Sequence, residues 1–297
     1  MTANNSATTV RPIAVSGSVL AVLGVAIFSF TFPATHWALG GFGPWTTVAV
    51  RGVIAAAIAG GCLVVGRAPV PAREHWPGLA VVGLGVVLGF PLLTTLALQT
   101  TNTSHAAVVI GALPLATAIV AAVRQGSRPS RTFWGAAVAG AAVVTVFTLV
   151  QSGGAPTAGD LYLFAALVVC AAGYAEGGRL ARVMPGLQVI SWALIGMLPF
   201  ALLGSVIALS FEPVHLGDQA LLGLAYVAAG SQVVGLMVWY RGMAAIGVAR
   251  ASQLQLAQPL LTLVWSAALL GEHLGPATPL AAVAVLVCVA VTQRART

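Results

Sequence analysis

Of the 297 residues, 59% are hydrophobic and only 6% charged, with mean hydropathy +0.99. A soluble domain is about 45–50% apolar and about 25% charged, so this chain lacks the polar surface needed to face water, and a soluble enzyme is excluded. The 13 Lys-plus-Arg positions are all arginine, against 6 acidic residues; they stand one to three at a time between apolar runs, not gathered on one face with aromatics, which excludes a nucleic-acid binder.

The first dozen residues are mostly polar and the apolar stretch after them has no clear small-x-small cleavage site, so it is expected to remain as a first span. Runs of crossing length, about 20 apolar residues each, fall near 13–38, 43–66, 76–98, 104–124, 132–150, 159–181, 187–210, 217–240, 248–270 and 274–293. With the N-terminus in the cytoplasm, every arginine but Arg51 falls in an inside segment. The positive-inside rule then predicts cytoplasmic termini at both ends. Asp160, Glu212, Asp218 and Glu272 fall outside.

Polar groups within these spans are costly unless paired or facing water, so they point to a cavity. The first span offers Ser29, Phe30 and Thr31, then Pro33 and His36; the histidine follows the proline break near the outer mouth as a gate or coupling candidate. Arg51 sits about 12 Å along the second span at 1.5 Å per residue, where snorkelling to the headgroups, contacts to carbonyls and anion binding are the readings. Pro91, Thr94 and Thr95 lie in the third span and Pro114 in the fourth.

The sixth span contributes Tyr174 as an aromatic cavity residue and Glu176, the one acid within a span, which can pair with Arg179 at i,i+3 or couple protons. The eighth holds Ser231 and Gln232, and ends in Trp239-Tyr240, expected at the membrane interface. In the ninth, Ser252, Gln255, Pro259, Thr262 and Ser266 recur at steps of three, four, three and four, drawing one polar stripe along a helix, with Gln258 beside it. An uncharged carboxamide that both donates and accepts suits a zwitterion; hydrogen bonding between packed helices is the alternative for Gln255 and Gln258.

Mid-span prolines remove a backbone hydrogen bond and kink a helix. Pro33, Pro91, Pro114, Pro199 and Pro259 qualify as kinks or hinges. Cys62, Cys170 and Cys288 are far apart inside apolar runs, which suits packing better than a disulfide or metal pair. Neither a Walker loop nor HExxH, GxSxG or Cys/His metal spacing occurs, so no cofactor, metal or catalytic set is expected.

Sliding the chain on itself by 145 residues sets Pro114 on Pro259, Ala112 on Ala257, Thr117 on Thr262, Gly126 on Gly271, Gly85 on Gly230 and Ala80 on Ala225. That shift spans five helices, an odd number, so the second copy is expected upside down. The flanking charge reverses accordingly, from Arg124-Gln125-Gly126-Ser127-Arg128 inside to Leu270-Gly271-Glu272-His273 outside. The expected fold is an all-α membrane protein of ten helices, with a first five-helix repeat over 1–150 and an inverted second over 151–297, around a central cavity.

Arg51-Gly52-Val53-Ile54-Ala55-Ala56 in the second span, and the run from Val248-Ala249-Arg250-Ala251-Ser252 through Pro259 to Leu270-Gly271-Glu272-His273-Leu274, resemble EamA-type carriers of the drug/metabolite transporter superfamily. Within it the chain is most similar to bacterial aromatic amino-acid exporters of the YddG type. The resemblance implies an inner-membrane exporter of amino acids, with organic cations as a further substrate class, whose cavity opens alternately to each side. Two departures stand out: Gln125-Gly126-Ser127 replaces the first-half Leu-Gly-Glu motif, and Phe28-Ser29 replaces an aromatic-Gly pair. The residues predict export of zwitterionic metabolites by a monomer, bound by Ser29, Phe30, Thr31, Thr94, Thr95, Tyr174, Ser231, Gln232, Ser252, Gln255 and Gln258. A proton-coupled multidrug exporter using Glu176 or His36, and a membrane-embedded enzyme or scaffold, are the rivals.

Overall fold

Pro44 opens a helix where a missing N–H costs nothing. Gly271 closes another at φ +66°, a conformation that only glycine adopts readily. Between such punctuation marks the apolar runs become helices. The structure is a computed structural model that describes residues 17–124, 130–151, 153–246, 251 and 254–295.

Among the described residues, eight helices are long and apolar enough to cross a bilayer. They are α1 Gly17–Leu39, α2 Pro44–Val65, α3 Arg73–Ala97, α4 Thr103–Arg124, α5 Arg131–Gln151, α6 Ala158–Leu180, α7 Gly186–Phe211 and α8 Asp218–Ile246. Two shorter apolar helices follow, α9 Ala257–Leu270 and α10 Ala277–Arg294. The described residues hold no strand, and Phe42 and Val214 make an isolated antiparallel bridge.

Several helices are irregular near their middles, in α1, α3 and α4 beside prolines that withhold N–H groups and in α8 without one. Helix α1 breaks at Phe30, just ahead of Pro33. Helix α4 breaks at Gly111 and Ala112, ahead of Pro114. Wide π-helical turns run over Gly83–Gly89 in α3, directly before Phe90-Pro91, and over Tyr226–Gly235 in α8.

The first helix of the chain packs mainly on α8 and α9, and α6 packs on α3 and α4; α2 lies along α7, α5 along α10, and α4 meets α9. Close approach depends on small residues. A Cβ on Gly242 would stand 2.7 Å from the Ala21 backbone nitrogen, so α1 and α8 touch backbone to backbone there. The outer surface is apolar, with Val138, Val146, Val150, Leu203, Val206, Leu280 and Val287 all exposed, as lipid-facing surface should be.

Trp239 and Tyr240 correct the interfacial expectation. Both are fully buried, Trp239 edge-on to Phe28 at 6.2 Å and Tyr240 against the space left by Gly177 and Gly186. Glycines opposite them make room that the position of the two aromatics at a span end does not reveal. The described cysteines are free, and Cys170 is buried in the apolar core.

Candidate functional site

The break in α1 is where the polar groups begin to meet. Pro33 has no N–H to return to the Ser29 carbonyl four residues back, and Thr262 Oγ1 of α9 donates to that oxygen at 2.8 Å. Ser29 Oγ donates to Ala26 O and accepts from Trp265 Nε1 at 3.0 Å. Two residues on, Thr31 Oγ1 and Ser231 Oγ of α8 are 2.8 Å apart. Phe30 lies between these contacts, edge-on to Tyr226 at 4.9 Å, Trp37 at 5.2 Å and Trp265 at 5.9 Å. Of that aromatic cluster the sequence singled out Phe30 alone; its partners come from three different turns and helices.

The α3–α8 crossing repeats the pattern. Pro91 leaves the Val87 carbonyl without its usual partner, and Gln232 Nε2 donates to it at 3.3 Å. The same carboxamide's Oε1 accepts from Arg51 Nε at 2.6 Å. Arg51 is 4% exposed, so it does not snorkel to the headgroups. Of the three readings the contact is to a side-chain oxygen, which only tertiary packing of α2 on α8 supplies. Thr94 donates to Phe90 O and Pro91 O on its own helix, while the buried Thr95 hydroxyl has no protein partner.

A cavity lies where α4 meets α9. Ala107, Ile110, Gly111, Leu113 and Pro114 face Gln255, Gln258, Pro259 and Thr262 across it. Its space open to the centre of a water is ≈ 10 Å³, room for about one water. Both candidate glutamines and both repeat-related prolines therefore line one void, with Gln255 buried and Gln258 half-buried. Tyr174 is half-buried against the apolar core. Ser252 lies outside the described residues.

Charge is concentrated at the helix ends. At one end, Glu212 accepts from the backbone N–H of Trp45 and Thr46 at 3.1 and 2.7 Å. There His215 N also donates to Gly41 O at 2.8 Å. Glu272 accepts from Thr103 N and Ser104 N, each at 2.8 Å, and from the Ser104 hydroxyl. Both carboxylates thus sit on the first turn of a helix, where unpaired N–H groups and the helix dipole favour an anion. The left-handed Gly271 turns the chain so that Glu272 reaches α4, which gives Leu270-Gly271-Glu272 a physical meaning.

Nearby, His105 Nε2 is 2.7 Å from Asp160 Oδ1, with both side chains buried. His105 stacks on Phe147 at 5.2 Å. Asp160 also closes a capping box with Thr157 at the start of α6, a signal readable in Thr157-Ala158-Gly159-Asp160. The sequence reading missed the partnership, since nothing local brings position 105 to position 160.

At the other end Glu176, buried, pairs with Arg179 at 2.6 Å as its i,i+3 spacing suggests, and also with Arg124 Nη1 of α4 at 2.7 Å. His36 is exposed. Among the described residues no group of three or more His, Cys, Asp or Glu could hold a metal.

A bundle of apolar helices with polar groups converging at mid-length is the architecture of a solute carrier, and comparison with known proteins agrees. The profile of the EamA-like transporter family matches residues 15–149 and again 157–293. The chain belongs to the EamA-like transporter family. This EamA-like transporter, within the drug/metabolite transporter superfamily, is 44% identical over 279 residues to an uncharacterized transporter, YdeK, of Bacillus subtilis (strain 168). That match covers 94% of this chain and 97% of YdeK. A solved crystal structure superposes with a TM-score of 0.67 at 21% identity, over 93% of the EamA-like chain and 97% of its own, a likeness that bears on the fold alone.

Proposed function

We propose that this EamA-like transporter exports small metabolites, amino acids and aromatic ones among them, across the bacterial inner membrane by alternating access. The carrying observation is the void between α4 and α9, walled by Gln255 and Gln258 and by the kinks at Pro114 and Pro259. Carboxamides there offer donors and acceptors without fixed charge, which suits a zwitterion. The nearby rings of Phe30, Trp37, Tyr226 and Trp265 offer an aromatic surface for the side chain.

In this reading ten helices form two inverted halves, 1–150 and 151–297, with both termini cytoplasmic. Support comes from the packing: α1 on α8 and α9 mirrors α6 on α3 and α4. The π-helical turns of α3 and α8 correspond under the 145-residue shift. Gln232 and Val87, which touch, are themselves 145 residues apart, as expected of two equivalent positions beside a two-fold axis. The halves have thus exchanged their first helices, and the bodies that rock are α1, α8 and α9 against α3, α4 and α6. The end closed by Glu212 and Glu272 is read as external, and the end with Arg124, Arg179 and Glu176 as cytoplasmic.

Reconstitution in liposomes tests the reading. Labelled amino acids should move across the bilayer, and Gln258→Leu should abolish that movement while the variant still inserts and folds. Absence of flux for a broad amino-acid panel, or unchanged flux in the variant, overturns the reading or removes Gln258 from the site respectively.

A further inference from the structure

Among the described residues, the buried charges have a counter-charge to face and the carboxylates at the helix ends a helix N-terminus, apart from one. Glu176 has Arg124 and Arg179, and Asp160 has His105. Glu212 and Glu272 cap helices. Arg51 has Gln232 alone, a neutral partner. Among the described residues no carboxylate lies within ion-pair distance of its guanidinium.

Leaving a cation desolvated in the membrane interior is expensive, and a single neutral acceptor offsets little of that. The geometry of the one bond is informative. Gln232 is held at both ends, its Nε2 on the Val87 carbonyl freed by Pro91 and its Oε1 on Arg51 Nε. Nε is therefore occupied, and the two terminal nitrogens, with no protein acceptor among the described residues, are left as a planar fork. That fork is the geometry that grips a carboxylate through two parallel bonds.

A series of polar contacts also lies between this fork and the void between α4 and α9. Thr262, in the cavity wall, bonds Ser29 O; Thr31 bonds Ser231; and Gln232, next in sequence, bonds Arg51. These contacts succeed one another along α1 and α8 between the cavity wall and the guanidinium, linked through the backbone at Ser29–Thr31 and Ser231–Gln232.

We infer that Arg51, presented by Gln232, is the residue that binds the carboxylate of the transported solute and selects acids over their amides and amines. The inference rests on the carrier reading above and adds to it the residue that reads the solute's carboxylate, which supplies the missing counter-charge on binding and removes it on release.

Counterflow in liposomes, with the membrane potential clamped at zero, tests this with labelled phenylalanine, phenylalaninamide and phenethylamine beside a panel of the other amino acids. The wild-type chain should prefer the acid over its amide by about tenfold or more, the worth of a charge-assisted pair, and in Arg51→Gln the ratio should collapse towards one. Should that variant fail to fold, Gln232→Glu serves: it gives up the bond to the Val87 carbonyl but supplies an internal counter-charge to Arg51, and should erase the acid preference. Equal transport of acid and amide by the wild type, or a preference that survives in Gln232→Glu, overturns the role of Arg51 alone. No movement of any amino acid overturns the carrier reading and this inference with it.

Discussion

Valine in place of Thr262 keeps a β-branched side chain and deletes one hydroxyl, leaving the Ser29 carbonyl released by Pro33 with no donor. An orphaned buried acceptor costs about 1–3 kcal/mol, so Thr262→Val should lower the unfolding midpoint measurably in detergent. An unchanged melt would mean that the carbonyl is satisfied by water. Pro33 and Pro91 were legible in the sequence as kinks, and so was the fact that each must free a carbonyl. What no single helix could reveal is that Thr262, in the polar stripe of the ninth span, and Gln232, marked as substrate-binding, spend a hydrogen bond on those carbonyls. The same limit hid the partner of His105, whereas the Glu176–Arg179 pair, being one turn apart, was readable directly.

Helix ends behave as units, and the carboxylate on the first turn of α4 is a property of that helix as a whole. Glu272→Gln keeps the size of the side chain and removes the charge that faces the helix dipole, a loss of about 1 kcal/mol. If this contact closes the external end, its loss should raise the open population about fivefold. The measurement is the rate at which an impermeant thiol reagent, added from that side, modifies Ala107→Cys in a chain whose own cysteines are replaced. A rate equal to that of the parent would show that Glu272 is not a latch. Hydropathy located eight of the helices within a few residues, because a crossing needs a fixed apolar length. Pro33 foretold the break in α1, but nothing foretold the π-helical turns, since these depend on what neighbouring helices offer the released backbone.

For the molecule as a whole, the sharpest prediction concerns sidedness. Arg67, exposed just after α2, and His273, exposed just after α9, should lie on opposite faces of the membrane if the second half is inverted. Arg67→Cys should react only from the cytoplasmic side and His273→Cys only from the external side; labelling of both from one side would overturn the inverted arrangement. The arginine distribution is what predicts this topology at the level of the sequence. The packing of α1 on α8 and α9, and of α6 on α3 and α4, was not legible, because the periodicity of one helix says which face is polar but not which helix it meets.

In the proposed arrangement the two rocking bodies are fastened differently. Helices α4 and α6 are joined by charged contacts at both tips, His105–Asp160 and Arg124–Glu176. Helices α1 and α9 are joined at mid-length, where Thr262 and Trp265 grip Ser29. One pair is a strut pinned top and bottom; the other is a beam balanced on a fulcrum. Under the proposed alternating access, load applied by a solute at the centre would tilt the beam and leave the strut standing, which makes α1 with α9 the lever arm, held at the tip of α9 by the Glu272 contact to α4.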